Sequence, residues 1–295
     1  MSRSTISKKF SVRFLPLTLC LFLTSSTMAW SVEEENPLLW SQEFNEKSGS
    51  KPDPKYWNYD LGDGRGWGNR ELQLYTNVNA KTNGRGALAI TALQISPKKK
   101  QVCYYGYCEW SSARITTKNK VWIKYGTIEA RIQMPAGTGT WPAFWMLGQN
   151  IDAVSWPNSG EIDITEGLGR TPFTAYATIH GPGYFGGSSI GARHLNPKKL
   201  SDSFHTYGIN WSEDSIEWTL DGEVIFTQSK ASIAPRAWVF NQPFSLILNV
   251  AMGGEFGGEV GKDSKSGLQM KVDWIRVKKF NGQGEVDIQT SPSSL

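Results

Sequence analysis

Alternation of apolar and polar positions is the dominant pattern in this chain. From Tyr125 to Met134, Thr127, Glu129, Arg131 and Gln133 interleave with Ile128, Ala130, Ile132 and Met134. That is the period of two of a half-buried strand, whose successive side chains leave opposite faces. Ile216, Trp218 and Leu220 repeat it and run into Asp221-Gly222. This dipeptide suits the positive φ values of a tight turn, so Ser215 to Phe226 is predicted as a hairpin. Phe173 to Ile179, Phe244 to Met252 and Leu268 to Val277 follow the same rule. Helical spacing is nowhere sustained. Many short strands without crossover helices predict an all-β fold, an antiparallel sandwich or jelly roll. Residues 281–295 are polar with Gly, Ser and Pro, and are predicted to be a flexible C-terminal tail.

One strand carries acids where a buried strand carries none. In Gly160-Glu-Ile-Asp-Ile-Thr-Glu166, Glu161 and Asp163 share a face, with Ile162 and Ile164 behind them. Strict alternation sends Glu166 to the other side. One extra residue near Ile164-Thr165, a β-bulge, returns it to the carboxylate face. Three acids on one face raise one another's pKa, so at least one keeps its proton near neutrality. An acid beside an ionised carboxylate is the pair that glycoside hydrolysis requires, with retention or inversion set by their separation. A solvated outer strand face would carry the same bare pattern.

The N-terminus alters the charge picture. Arg3, Lys8, Lys9 and Arg13 precede the apolar run Phe14 to Leu23, and small residues follow up to Ala29. Residues 1–29 are read as an export signal, the run being too short to span a bilayer. The whole chain carries +4, but 31 basic residues less these four equal the 27 acidic ones, so the processed protein is near neutral. No electrostatic case remains for nucleic acid or for an anionic membrane. Cys103 and Cys108 are then the two remaining cysteines, and in an exported protein they read as a local disulfide. Thirteen Trp and ten Tyr fit either an aromatic core or a surface for the flat C–H faces of sugars.

Further segments fix the context: Gly68-Asn-Arg-Glu-Leu-Gln-Leu-Tyr75, Ser112-Ala-Arg-Ile115, Tyr125-Gly-Thr-Ile-Glu-Ala-Arg131, Trp141-Pro-Ala-Phe-Trp-Met-Leu-Gly148, Phe204-His-Thr-Tyr207 and Val272-Asp-Trp-Ile-Arg276. With residues 160–166, in this order and spacing, the chain resembles glycoside hydrolase family 16, in its laminarinase-like branch. The resemblance covers nearly all of residues 30–280, read as one catalytic domain. It implies a concanavalin-like jelly roll with a substrate cleft on its concave sheet. It further implies Glu161 as nucleophile, Glu166 as acid/base, Asp163 tuning their protonation, and retention of configuration.

By the same resemblance, Trp141 and Trp145 stack on sugar rings either side of the scissile bond. Asn69 and Arg114 bond sugar hydroxyls, and His180 faces the acid/base from a neighbouring strand. Glu71 either joins them or lies on a solvated strand edge. No catalytic cofactor is implied. A structural calcium ion is, with Asp273, Glu43 and the backbone of Gly86 as its ligands. The chain departs from the family's pattern in lacking a proline after Phe256, in Gly167, and in the cysteine-closed insert around Tyr104 to Tyr107. The expected protein is a secreted, monomeric endo-β-1,3-glucanase acting on a β-glucan. The alternatives are a mixed-linkage β-1,3/1,4-glucanase and a non-catalytic β-glucan-binding protein.

Overall fold

A computed structural model describes Met1 and residues 36–289. The export-signal expectation for residues 1–29 therefore falls outside the described residues, apart from Met1.

Two large sheets face each other across one core. The first runs in the order Glu223–Ser229, Ser215–Leu220, His205–Trp211, Gly126–Gln133, Leu268–Lys278, Leu88–Gln94, Trp110–Ser112, Gln73–Tyr75. The second runs Ile190–Leu195, Thr174–His180, Glu161–Gly167, Thr140–Gly148, Phe244–Met252. Along the far edge of Phe244–Met252, Arg114–Thr116 pairs with Ile247 to Asn249, while Val121–Lys124 joins at Phe244. Asn58–Asp60 lies outside Arg114–Thr116. Nearly every pairing is antiparallel, as in a jelly roll, and the described helices are single turns.

The core follows from the alternation. Ile128, Ala130 and Ile132 point inward from one sheet, and Phe144, Met146, Ile162, Leu246, Leu248 and Val250 from the other, all fully buried. Burial of each larger side chain is worth roughly 1.5–3 kcal/mol. The Ser215–Phe226 hairpin forms with Asp221 and Gly222 at φ 51° and 87°, the left-handed pair its turn demanded.

Phe244–Met252 departs from simple alternation, because all nine residues are buried. Its outward positions, Ser245, Ile247, Asn249 and Ala251, are covered by side chains and loops above the sheet. That covered face is where the acids lie.

The C-terminal expectation needs correction. Glu285–Ile288 pairs with Val121–Lys124, matching Val121 with Ile288 and Ile123 with Val286. Val286 and Ile288 pack on the core. A four-residue alternation, Glu-Val-Asp-Ile, suffices to close a sheet edge, so the segment from 281 is not uniformly a tail.

Candidate active site

The bulge is present in the ladders. On one side Asp163 pairs with Trp145 and Thr165 with Phe144, leaving Ile164 as the extra residue. On the other, Asp163 pairs with Thr178 and Glu166 with Tyr176, so two residues oppose one. Glu161, Asp163 and Glu166 thereby share the outward face, with Ile162 and Ile164 in the core. Across the core, the Trp218 indole N–H donates to the Asp163 carbonyl at 2.8 Å, so the facing sheet braces the irregular backbone.

Each glutamate receives an indole. Trp141 Nε1 donates to Glu166 Oε1 and Trp156 Nε1 to Glu161 Oε2, both at 2.8 Å. Asp163 is 3% exposed and Glu166 9%. Burial, then the charge of Asp163, pushes Glu161 up to about 8. Burial raises Asp163 to about 7 and holds Glu166 well above the carboxylate range. Three acids this close cannot all ionise together. The arrangement stores a proton next to a carboxylate.

His180 sits beside Glu161 and Asp163, not beside Glu166 as expected. Its ladder partner is Glu161, and its Nε2 lies 3.1 Å from Asp163 Oδ2 and 3.7 Å from Glu161 Oε1. Strand register decides this: the bulge carries Glu166 on to Tyr176. Nδ1 accepts the Gly186 N–H at 3.1 Å, which leaves the ring hydrogen on Nε2, on the side of the acids, although Asp163 Oδ2 receives no hydrogen bond from it. By donor count Glu161, Asp163 and His180 could hold a metal ion, but a ligating Nε2 needs a lone pair where this ring carries its hydrogen.

The other expected residues form a connected floor. Trp145 is half-buried and donates to Asn249 Oδ1 at 2.7 Å. Asn249 donates to the Tyr75 hydroxyl, and Tyr75 to Glu71 Oε2. Gln73 and Asn69 also donate to Glu71, at 2.6 and 3.3 Å. Glu71 is thus buried, 5% exposed, which excludes the solvated edge. Burial raises its pKa against the hydrogen bonds of Gln73 and Asn69 and the charge of Arg114. The Arg114 guanidinium is sandwiched between Trp67 and Trp145, 4.8 Å from each ring centre. Its Nε lies 2.8 Å from Asp60 Oδ2. Trp141 packs edge-on against Phe256, which in turn meets Tyr176.

Several members of this floor were absent from the sequence-derived set. Trp156 was signalled by an indole five residues before Glu161. Asn249 was signalled as an amide inside an otherwise apolar strand. Gln73, Tyr75 and Trp67 carry no such local signal.

The calcium ligands fare differently. Register places Asp273 next to the Val272–Leu88 pair, whose Leu88 follows shortly after Gly86 in the chain, and Glu43 next to the Gln42–Ile275 pair. Yet Asp273, the extra residue of a bulge opposite Arg131, is ion-paired to that arginine. Both Glu43 oxygens accept from Arg276 at 3.0 Å. Carboxylates neutralised by guanidinium do not fit a calcium cage, which takes free, converging oxygens.

Residues 69–276 match the family described as "Glycosyl hydrolases family 16". The chain is 39% identical over 256 residues to a β-glucanase of Rhodothermus marinus, covering 82% of this chain and 85% of that one. It is 41% identical over 249 residues to a glucan endo-1,3-β-glucosidase of Cryptopygus antarcticus, covering 77% and 84%. Among solved structures, the laminarinase catalytic domain of Thermotoga maritima superposes with a TM-score of 0.77 at 44% identity, over 83% of this chain and 98% of that one.

Proposed function

From the premise that this chain belongs to the glycosyl hydrolases of family 16, we propose that it is a secreted, monomeric endo-β-1,3-glucanase that hydrolyses its substrate with retention of configuration. The observation that carries the reading is the bulge at Ile164, which brings Glu161 and Glu166 to one face with Asp163 between them.

In the proposed reaction the Glu161 carboxylate attacks the anomeric carbon while Glu166 delivers its proton to the leaving glycosidic oxygen. A glycosyl-enzyme ester forms on Glu161 and the leaving chain departs as an alcohol. Glu166, now ionised, takes a proton from water, which attacks the same carbon and releases Glu161. Burial and the charge of Asp163 keep the proton on Glu166. The same two causes raise Glu161 to about 8 against the hydrogen bond of the Trp156 N–H, so Glu161 becomes the attacking carboxylate as the pH approaches that value. Asp163, next to both, raises whichever neighbour it faces as an anion. The chemistry is complete with carboxylates and water, so no cofactor takes part.

Export is supported by the Cys103–Cys108 disulfide, a bond that persists in oxidising compartments. Among the described residues no helix is long and apolar enough to cross a membrane. N-terminal sequencing of the protein recovered outside the cytoplasm should begin at Trp30. An intact Met1 there would refute processing.

Reducing-sugar release on laminarin, curdlan and mixed-linkage glucan tests the substrate, and following the anomeric proton of the first product tests the stereochemistry. We expect short oligosaccharides from laminarin, released first as the β-anomer. Glu161→Gln and Glu166→Gln should each lose at least ~100-fold in kcat while still binding oligosaccharide. Normal turnover by either variant would overturn the assignment. Turnover of mixed-linkage glucan alone would keep the carboxylates and move the substrate. Binding without turnover by the folded, unmutated protein would favour a glucan-binding role.

A further inference from the structure

The side chains that run sideways from the carboxylates do not end at Trp67. Trp145 stands beside Asp163 in the ladder, and Arg114 bridges from its ring to that of Trp67. Trp67 is carried by a turn over Gly64–Gly66, capped by Asp63, whose Oδ1 accepts the Arg65 N–H. The other oxygen of Asp63 accepts the backbone N–H of Tyr104 at 2.6 Å. The Tyr104 ring rests on Gly66, where even a Cβ would come within 3.1 Å of it. Tyr104 is thus an aromatic seated on the same turn that carries Trp67.

Its surroundings hold it in place without covering it. Tyr104 is 42% exposed. Tyr105 packs edge-on against it at 5.1 Å and anchors the loop by donating its hydroxyl to the Leu72 carbonyl at 2.7 Å. The Cys103–Cys108 disulfide closes the loop with a sequence separation of 5. So short a closure removes little entropy from the unfolded chain. What it supplies is local order, the preorganisation that saves binding free energy when a ligand meets an exposed ring.

We propose that this disulfide-closed loop adds a distal sugar subsite, in which Tyr104 stacks on a glucose unit of a chain already held over Trp145, Arg114 and Trp67. The subsite lies at the Arg114 end of the cleft, so only oligosaccharides long enough to pass Trp67 reach it. This rests on the β-glucanase reading, of which it specifies the substrate length.

The test is kcat/KM across β-1,3-gluco-oligosaccharides from trimer to octamer, for the unmutated enzyme, Tyr104→Ala and Tyr104→Phe. A single aromatic stacking contact corresponds to about a three- to tenfold effect. We expect Tyr104→Ala to match the parent on the shortest oligomers cleaved and to lose about three- to tenfold on the longest, in KM more than in kcat. Tyr104→Phe, which keeps the ring, should follow the parent. Reduction of the disulfide in the unmutated enzyme should reproduce the length-dependent loss, a reading that stands even if the alanine variant folds poorly. Parallel curves at every length, or a phenylalanine variant as impaired as the alanine one, would overturn the subsite and leave the β-glucanase reading intact. An unmutated enzyme inactive on every oligomer would overturn that reading, and the subsite with it.

Discussion

Replacing Trp156 by phenylalanine removes one hydrogen-bond donor from Glu161 and little else. The indole N–H lies 2.8 Å from Glu161 Oε2, and the ring touches Phe185 and His180 at 5.4 and 5.8 Å between centres, contacts that a phenyl ring largely keeps. A hydrogen bond to a charged group contributes ~1.5–3 kcal/mol. Because Trp156 is 43% exposed, water competes for the carboxylate and the low end applies. A loss of ~1.4 kcal/mol raises the Glu161 pKa by about one unit. In the parent, Glu161 titrates at about 8 and Asp163 at about 7. The pair titrates together, so the acid limb of kcat/KM reports it as a unit, between about 7 and 8. In Trp156→Phe the limb should move up by about one unit. Activity well below the limb then falls about tenfold, while the two enzymes converge on its alkaline side. The assay is kcat/KM on laminarin from pH 5 to pH 9.5 at constant ionic strength. A uniform loss at every pH would mean that the indole acts through sugar binding, and an unmoved limb would refute the hydrogen-bond argument.

The same shift makes a stability prediction. Glu161 has an ordinary value of 4.5 and is raised to about 8 by burial and Asp163, so the folded state holds the proton more tightly than the unfolded one. The group's contribution is fully present below about 4.5 and is lost as pH rises through about 8. Glu161→Gln, which cannot ionise, should match the parent's Tm at pH 4.5 and exceed it above pH 8, by ~2–4 °C per kcal/mol; a difference independent of pH would count against the linkage. Asn249→Ala leaves the Trp145 N–H and the Tyr75 hydroxyl without their partner. It should cost ~1–3 kcal/mol in denaturant unfolding and raise KM for laminarin more than it lowers kcat; a change in kcat alone would place Asn249 in the chemistry. With Asp273 and Glu43 held by arginines, melting curves in chelator and in millimolar calcium should coincide, and a rise of several degrees with calcium would show that the arginines release their carboxylates.

What was legible in the sequence was whatever a single strand determines for itself. The alternation at Gly126–Gln133 fixed its inward face, and Asp221-Gly222 fixed a turn, because both depend only on neighbours along the chain. The bulge was legible for a chemical reason: an acid at position 166 is costly in the core, and one extra residue removes the conflict. Properties that belong to two strands were not legible. His180 faces Asp163 and Glu161 because of ladder register, which its own segment does not encode. Glu71 read equally as a site residue or as a solvated strand edge, and only the closure of Gln73, Asn69 and Tyr75 over it decides between them. Asp273 had the right residue type for a cation, but which cation it meets is decided by the bulge opposite Arg131.

The contrast between carboxylates inside and outside the site shows what the indoles contribute. On the other sheet Glu43 is gripped by Arg276, and that hydrogen bond holds its pKa below the ordinary value; a carboxylate treated so is a fixed anion. An arginine placed against Glu166 would do the same and remove the acid. An indole N–H orients a carboxyl oxygen as firmly, at 2.8 Å for both glutamates, but brings no net charge. Burial and the neighbouring acid can then still push the pKa upward. Arg114, the cation built into the floor, is kept from the catalytic pair by the Trp145 ring it stacks on and by Asp60, which neutralises it. The aromatic richness of the chain therefore has an electrostatic use beside the stacking of sugars: it holds acids in place without pinning them as anions. A substitution that brings a cation within reach of Glu166, such as Tyr176→Arg on its ladder partner, should lower the pKa of the acid and pull the alkaline limb of kcat down with it. An alkaline limb that stays in place while the variant remains folded would show that something other than this absence of cations keeps the proton on Glu166.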